Sequence, residues 1–310
     1  MGIWEIILII GGLVLFETVS SVDNAIINAQ VLSGMGQKAR KWFLVWGLLI
    51  AVFVVRGVLP WLIVWAVSPN LGPIGSLTAT FSGDPNVTAA IESSAPILLI
   101  AGGTFMIFLF FYWLFLEPKY YGLLGERFFQ SQGIWFYAVI SVLLSAIVWF
   151  ALSKNPLMAF GAVLGSTLFF ITHGFKENAE KVEKQLEKAG EITDTSKVFY
   201  LMVIDATFSL DGVLGAFAFT LSVPLILLGN GLGALVVRQF TVSNIERIKK
   251  YVFLKNGAMY SILVLGVIML LESFGFSIPS WLSPVVTAVI IGYFFIKSKG
   301  VSPKDSISGF

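Results

Sequence analysis

The sequence predicts an all-α polytopic membrane protein of about nine transmembrane helices, running from an outer N-terminus to an inner C-terminus. Three observations carry that prediction. Hydrophobic residues make up 57% of the 310 and charged residues 12%, and the mean hydropathy is +0.88, far outside the range of soluble domains. Apolar runs long enough to span a bilayer recur along the whole chain. Basic residues gather on alternate connections between those runs.

The first run, 3–33, has no basic segment before it and no small-residue cleavage site after it, so it reads as a retained span. Span 2 is expected at 42–68. A connection rich in Pro, Gly, Ser and Thr follows at 69–95, then span 3 at 96–117 and a mixed segment at 118–132. Spans 4 and 5 are expected at 133–152 and 157–174. The charged stretch from Lys176 to Lys197 reads as a short surface helix. Spans 6 to 9 follow at 198–221, 223–242, 256–274 and 280–297. Neither long connection is large enough for a soluble domain with its own core. None carries a Walker motif, a dinucleotide fingerprint or a basic nucleic-acid patch.

With the N-terminus outside, the inner connections hold 17 of the 20 basic residues and the outer ones only Lys154, while Arg56 and Arg238 fall within spans. One miscounted span would invert every later loop, so the asymmetry supports both the count and the direction. The net charge of +2 says little beside this distribution. The chain has no cysteine, which excludes disulfides and thiolate metal sites. Its single histidine, His173, excludes multi-histidine iron or bis-histidine haem sites made by this chain alone.

Two stretches repeat one pattern: an acid, three residues, Ser, one residue, Asp. Glu17-Thr-Val-Ser-Ser21-Val-Asp23-Asn24 lies in span 1 and Asp205-Ala-Thr-Phe-Ser209-Leu-Asp211-Gly212 in span 6. Four uncompensated carboxylates at mid-membrane would cost on the order of 10 kcal/mol, and a cation is the obvious compensation. Span 1 runs inward and span 6 outward, so the copies form an inverted repeat, an arrangement in which transporters bind substrate near the midplane. The organisation expected is a first repeat at 1–117 (spans 1–3), spans 4–5 with the charged stretch at 118–197, a second repeat at 198–274 (spans 6–8), and span 9 with its tail at 275–310.

Residues six apart on a helix are separated by about 9 Å along the axis and about 120° around it. Glu17 and Asp23 therefore do not meet on one ion by themselves. Glu17, Ser20 or Ser21, Asn24 and Asn28 instead make a polar stripe down one helix face. Convergence needs apposition of the two antiparallel copies, or an unwound turn near Ser20–Asn24 or Ser209–Gly215. Gly212 and Gly215 favour unwinding in the second copy over the first. Carboxylate, amide and hydroxyl oxygens without Cys or a neighbouring His suit a hard divalent cation, Mg²⁺, Ca²⁺ or Mn²⁺. Carboxylates emptied of metal would take up protons, so proton antiport is a natural coupling.

The other polar residues each carry two readings. Arg56 and Arg238 are counter-charges to the acids, or snorkelling groups near helix ends. His173 is a gate or proton relay, or a polar cap at the inner end of span 5. Asn230, in Gly229-Asn-Gly231, lines the path of span 7 or permits close helix packing. Glu117 and Glu272 stand at span ends and need no function. Tryptophans and most phenylalanines are belt or lipid-facing residues.

Phe16-Glu17-x5-Asp23-Asn24-Ala25 and Asp205-x2-Phe208-Ser209-x-Asp211 resemble the two signature motifs of the TerC integral membrane proteins, named for tellurium resistance and related to the LysE-type exporters. The likeness departs at Ser21-Val-Asp23, where Gly-Ile-Asp is more usual, and at Asp211-Gly212, where Asp-Ser is. These departures, the extra spans and the long 69–95 connection look like a divergent branch. The resemblance implies a divalent-cation exporter of the cytoplasmic (inner) membrane, with Mn²⁺ the usual substrate and Ca²⁺ the second candidate. By motif position it carries the metal site onto Glu17, Asp23, Asn24, Asp205 and Asp211.

The reading that results is a secondary transporter working by alternating access, not an enzyme, with the metal as substrate and no cofactor. Ser20, Ser21, Asn28, Ser209, Gly212 and Asn230 are its secondary or pathway positions. Two rivals remain. One is a non-transporting scaffold or assembly subunit whose acids serve helix packing. The other is an intramembrane aspartyl protease, which needs two Asp on separate helices sharing a proton. Ser-Leu-Asp211-Gly is unlike the Gly-x-Gly-Asp context that such enzymes resemble.

Overall fold

The computed structural model describes residues 2–47, 50, 58, 61–62, 65–66, 69–78, 85–189, 193–243 and 250–300, by backbone alone at 23, 71, 77–78, 85–92, 179–180, 182–189, 207–208 and 240–243. Every regular element among them is helical. The α-helices are α1 (Ile3–Ser20), α2 (Val22–Ser33), α3 (Gln37–Trp42), α4 (Gly72–Thr78), α5 (Pro85–Phe115) and α6 (Glu126–Ser131). They continue with α7 (Phe136–Leu152), α8 (Pro156–Ala189), α9 (Asp194–Ala216), α10 (Val223–Ser243), α11 (Leu254–Ser273) and α12 (Leu282–Lys299). Seven of them are long and apolar enough to cross a membrane: α1, α5, α7, α8, α9, α11 and α12. The protein is thus a multi-pass membrane protein. A shorter apolar stretch, Val223–Gln239, lies in α10. Most of the expected second span, including Arg56, lies outside the described residues.

α5 is the central post. Of its spanning stretch 78% is buried within the protein, against 17% for α7 on the rim. It packs most extensively on α11 and α8, while α1 packs on α10 and α12. In lipid such contacts are held by close van der Waals fit, which small residues permit. A Cβ on Gly103 of α5 would stand 2.9 Å from the Gly266 carbonyl oxygen of α11, so the two backbones touch there. Phe105, Phe108, Trp113 and Phe169 fill the surrounding core.

Side-chain and backbone contacts gather the loops into two ends. At one, Lys197 donates to the Gly34 carbonyl at 2.7 Å, Lys255 pairs with Glu117 at 2.5 Å, and Lys297 donates to the Gly122 carbonyl. At the other, Ser280 donates to Glu5 and Ser283 to the Ala218 carbonyl. The α7–α8 turn with Lys154 belongs to this second end, where Ala151 shares a cluster with Phe274.

Two expectations need correction. α8 runs without a break from Pro156 to Ala189, roughly 50 Å, so most of the charged stretch prolongs span 5 rather than forming a separate surface helix. Hydropathy marked where the apolar run ends, not where the helix does. The helix interruption also falls in the other copy. Ser21, at φ −89° and ψ 7°, separates α1 from α2, whereas α9 continues through Gly212 and Gly215 to Ala216.

Candidate functional site

The two motif copies meet antiparallel. Glu17 of α1 lies against Gly212 of α9, and further along Asn24 and Asn28 of α2 reach back to Asp205. Both amides donate to the same oxygen, Asp205 Oδ1, at 2.6 and 2.8 Å. Glu17 is fully buried and Asp205 is 7% exposed.

Glu17 is placed by its own turn and by two glycines. The Ser21 hydroxyl donates to Glu17 Oε1 at 2.6 Å and so anchors the carboxylate, while the Ser21 N–H still makes the ordinary helical bond to the Glu17 carbonyl at 3.1 Å. A Cβ on Gly212 would come 2.5 Å from Glu17 Oε2, and one on Gly233 of α10 would come 2.6 Å from Glu17 Cβ. Neither position accepts a side chain without moving the acid. Gly212, which departs from the Asp-Ser of the resembled motif, is thus explained by close approach rather than by unwinding.

The polar groups form two levels. One holds Glu17, Gly212 and Asn230, whose amide donates to the Gly212 carbonyl at 3.3 Å. The other holds Asp205, Asn24 and Asn28. Seven residues separate positions 205 and 212, so the levels lie about 10 Å apart along α9. The Oδ1 atoms of Asn24, Asn28 and Asn230 are buried and have no hydrogen-bond donor among the described residues, an excess of acceptor oxygens in an apolar bundle. Among the described residues no three of His, Asp and Glu come together as a metal cluster. The side chain of Asp23 lies outside the description.

Asp211 is partly exposed and, with Ser20, faces a cleft between α1, α5, α8, α9 and α11. The cleft holds about 30 Å³, room for a water or a bare ion but not for an organic molecule. His173, Lys176, Glu117 and Lys255 also line it. His173 is not a helix-end cap, because α8 continues well beyond it. Its Nδ1 lies 3.2 Å from the Phe169 carbonyl, and its ring packs 4.4 Å from that of Tyr112. Ser209 is buried, its hydroxyl donating to the Asp205 carbonyl at 2.6 Å. Arg238 forms no ion pair with an acid among the described residues, and Arg56 lies outside them.

Sequence reasoning missed a second polar cluster. Glu126 is 1% exposed and accepts from the N–H groups of Gly122 and Leu123, the Asn256 amide and the Tyr260 hydroxyl, at 2.7–3.0 Å. It ties the α5–α7 connection to α11. Beside it Lys119 donates to the Trp113 and Leu114 carbonyls at 2.5 and 2.6 Å, closing the negative end of α5. Burial pulls the Lys119 amine down to about 8, against the raising effect of Glu126 and Glu117. Burial alone would raise the Glu117 carboxyl, but Lys255, Lys176 and Lys119 outweigh it and hold the group below its ordinary value. Asn256, polar at the start of an apolar run, was the available clue.

No curated protein and no solved structure matches this chain. A family profile does, over residues 22–302, which take in Asp23, Asn24 and the whole second motif but begin just after Glu17 and Ser21. That is most of the chain, which therefore belongs to the family described as protein of unknown function (DUF475).

Proposed function

We propose that the protein is a secondary transporter that exports a divalent metal cation, Mn²⁺ before Ca²⁺, across the cytoplasmic membrane by alternating access, with proton exchange as its coupling. One observation carries the reading: antiparallel motif copies bury Glu17 and Asp205 at mid-bundle beside three asparagine carbonyl oxygens that no donor among the described residues satisfies. A dehydrated cation supplies what such acceptors lack, and the small cleft beside Asp211 suits an ion. The preference for manganese rests on the TerC-like motif residues alone.

The wider architecture of this reading is nine spans, N-out and C-in, with spans 1–3 and 6–8 as an inverted repeat. Two antiparallel contacts support it: α1–α2 on α9, and α5 on α11 through Gly103 and Gly266. The end bearing Lys119, Lys197, Lys255 and Lys297 is then cytoplasmic by the positive-inside rule. Glu17, Asp211 and Asn230 serve as one coordination level, and Asp205, Asn24 and Asn28 as the next.

The test is metal flux into inverted proteoliposomes under a pH gradient, comparing Mn²⁺, Ca²⁺ and Mg²⁺ for the parent protein and Asp211→Asn. Flux of one ion, lost in the variant, is expected. Folded protein that moves none of the three would sink the transport reading and favour a scaffold.

A further inference from the structure

The cleft beside Asp211 has a definite direction. Lys255, Met259 and Ile262 line it at positions i, i+4 and i+7 of α11, so it climbs about 10 Å from the basic end of the bundle. Its mouth is closed by Glu117, two residues beyond α5, and Lys255, the second residue of α11, joined at 2.5 Å. These side chains keep 20% and 24% of their surface exposed, so the pair stands at the boundary between the protein and water.

The opposite end is built differently. Beyond Glu17, the space is filled by Ile9, Leu13, Phe16, Phe217 and Phe219, none more than 4% exposed, with the Phe16 and Phe219 rings 5.8 Å apart. One end of the path is therefore sealed by a deep aromatic core, while charged side chains line the other, the Glu117–Lys255 pair with Lys176 beside it. An aromatic core opens only when helices move. An ion pair opens when one long side chain changes rotamer.

We infer that Glu117 and Lys255 form the gate over the basic end of the ion path, with the Lys255 ammonium as a tethered stand-in for the transported cation on Glu117. A cation arriving from that end exchanges with the ammonium on the Glu117 carboxylate. Lys255 then swings outward, and the cation passes Met259 towards Asp211. When no cation is present the ammonium returns and neutralises the acid, so the path is never left with an open acidic mouth. That the cargo is a cation rests on the transport reading above; the gate does not.

The chain has no cysteine, so one introduced thiol reports without background. Met259→Cys places it inside the gate. Labelling by a membrane-impermeant, positively charged methanethiosulfonate is timed in inverted vesicles. It is expected to be slow with the pair intact and at least tenfold faster in Glu117→Gln/Lys255→Gln, which removes both charges and keeps the local net charge. The exchange Glu117→Lys/Lys255→Glu is expected to restore slow labelling. Each variant is first checked for a monodisperse elution profile in detergent. Equal rates in the parent and the neutral pair, or fast labelling in the parent, would overturn the gate. Labelling that follows the pair in a protein with no flux leaves the gate standing and removes the transport reading. Flux with labelling indifferent to the pair does the reverse.

Discussion

Asp205 offers a way to separate the fold from the function. Its Oδ1 accepts the Asn24 and Asn28 amides at 2.6 and 2.8 Å inside the bundle. In Asp205→Asn the amide oxygen still accepts both, but two charge-assisted bonds become ordinary ones. That costs about 1 kcal/mol each, and relief of a buried charge offsets part of it. The net change is expected to stay within about 2 kcal/mol, roughly 4 °C in melting temperature. Asp205→Ala instead leaves two buried donors without an acceptor, at about 1–3 kcal/mol each, so it should melt clearly lower. Flux should fall at least about tenfold in both, because each removes the carboxylate of one level; tenfold corresponds to about 1.4 kcal/mol of lost cation binding. The assays are a thermal melt in detergent and metal uptake in liposomes. Melting temperatures that coincide for the two variants, or parental flux in Asp205→Asn, would refute the reasoning.

Three further outcomes are expected. Glu126→Ala strands four donors and should cost about 3–5 kcal/mol, with Glu126→Gln milder, as read by thermal melting. Gly212→Ala sets a methyl against the Glu17 carboxylate and should cost about 1–3 kcal/mol in stability as well as flux; a parental melting curve would show that the acid moves aside freely. Glu117 titrates below its ordinary 4.5, so the stabilisation it draws from Lys255 and the neighbouring Lys176 and Lys119 is complete above about pH 4.5 and is lost as pH falls through the folded value. The ratio of the Met259→Cys labelling rate with the pair neutralised to that with the pair intact, in which the common loss of thiolate with acidity cancels, should therefore stay flat from about pH 8 to about pH 5 and shrink only in stronger acid.

Much of the candidate site was visible in the sequence because a charge inside an apolar run is conspicuous. Glu17, Asp205 and Asp211 stood out for that reason, and helical spacing alone put Asn24 and Asn28 on the face that meets Asp205. Antiparallel apposition, one of the two routes to convergence, is the one that brings the copies together. The position of the helix interruption was not legible. Glycine suggested α9, but Gly212 is needed as room for Glu17, and the one-residue interruption falls instead at Ser21, whose hydroxyl binds the Glu17 carboxylate. Glu126 and the Glu117–Lys255 pair were hidden for another reason. Their side-chain partners lie more than 100 residues away in the sequence, and in a polar connection one more acid carries no signal.

The interruption after Ser20 has a thermodynamic consequence. If the halves of an inverted repeat were identical, exchanging their conformations would return the same molecule seen from the other side, and the two access states would be degenerate. Here one copy breaks at its serine and the other runs straight through, so the exchange is no longer a symmetry operation. On the inverted-repeat reading the empty protein has a preferred facing written into its backbone, and the transported ion works against that bias in one direction and with it in the other.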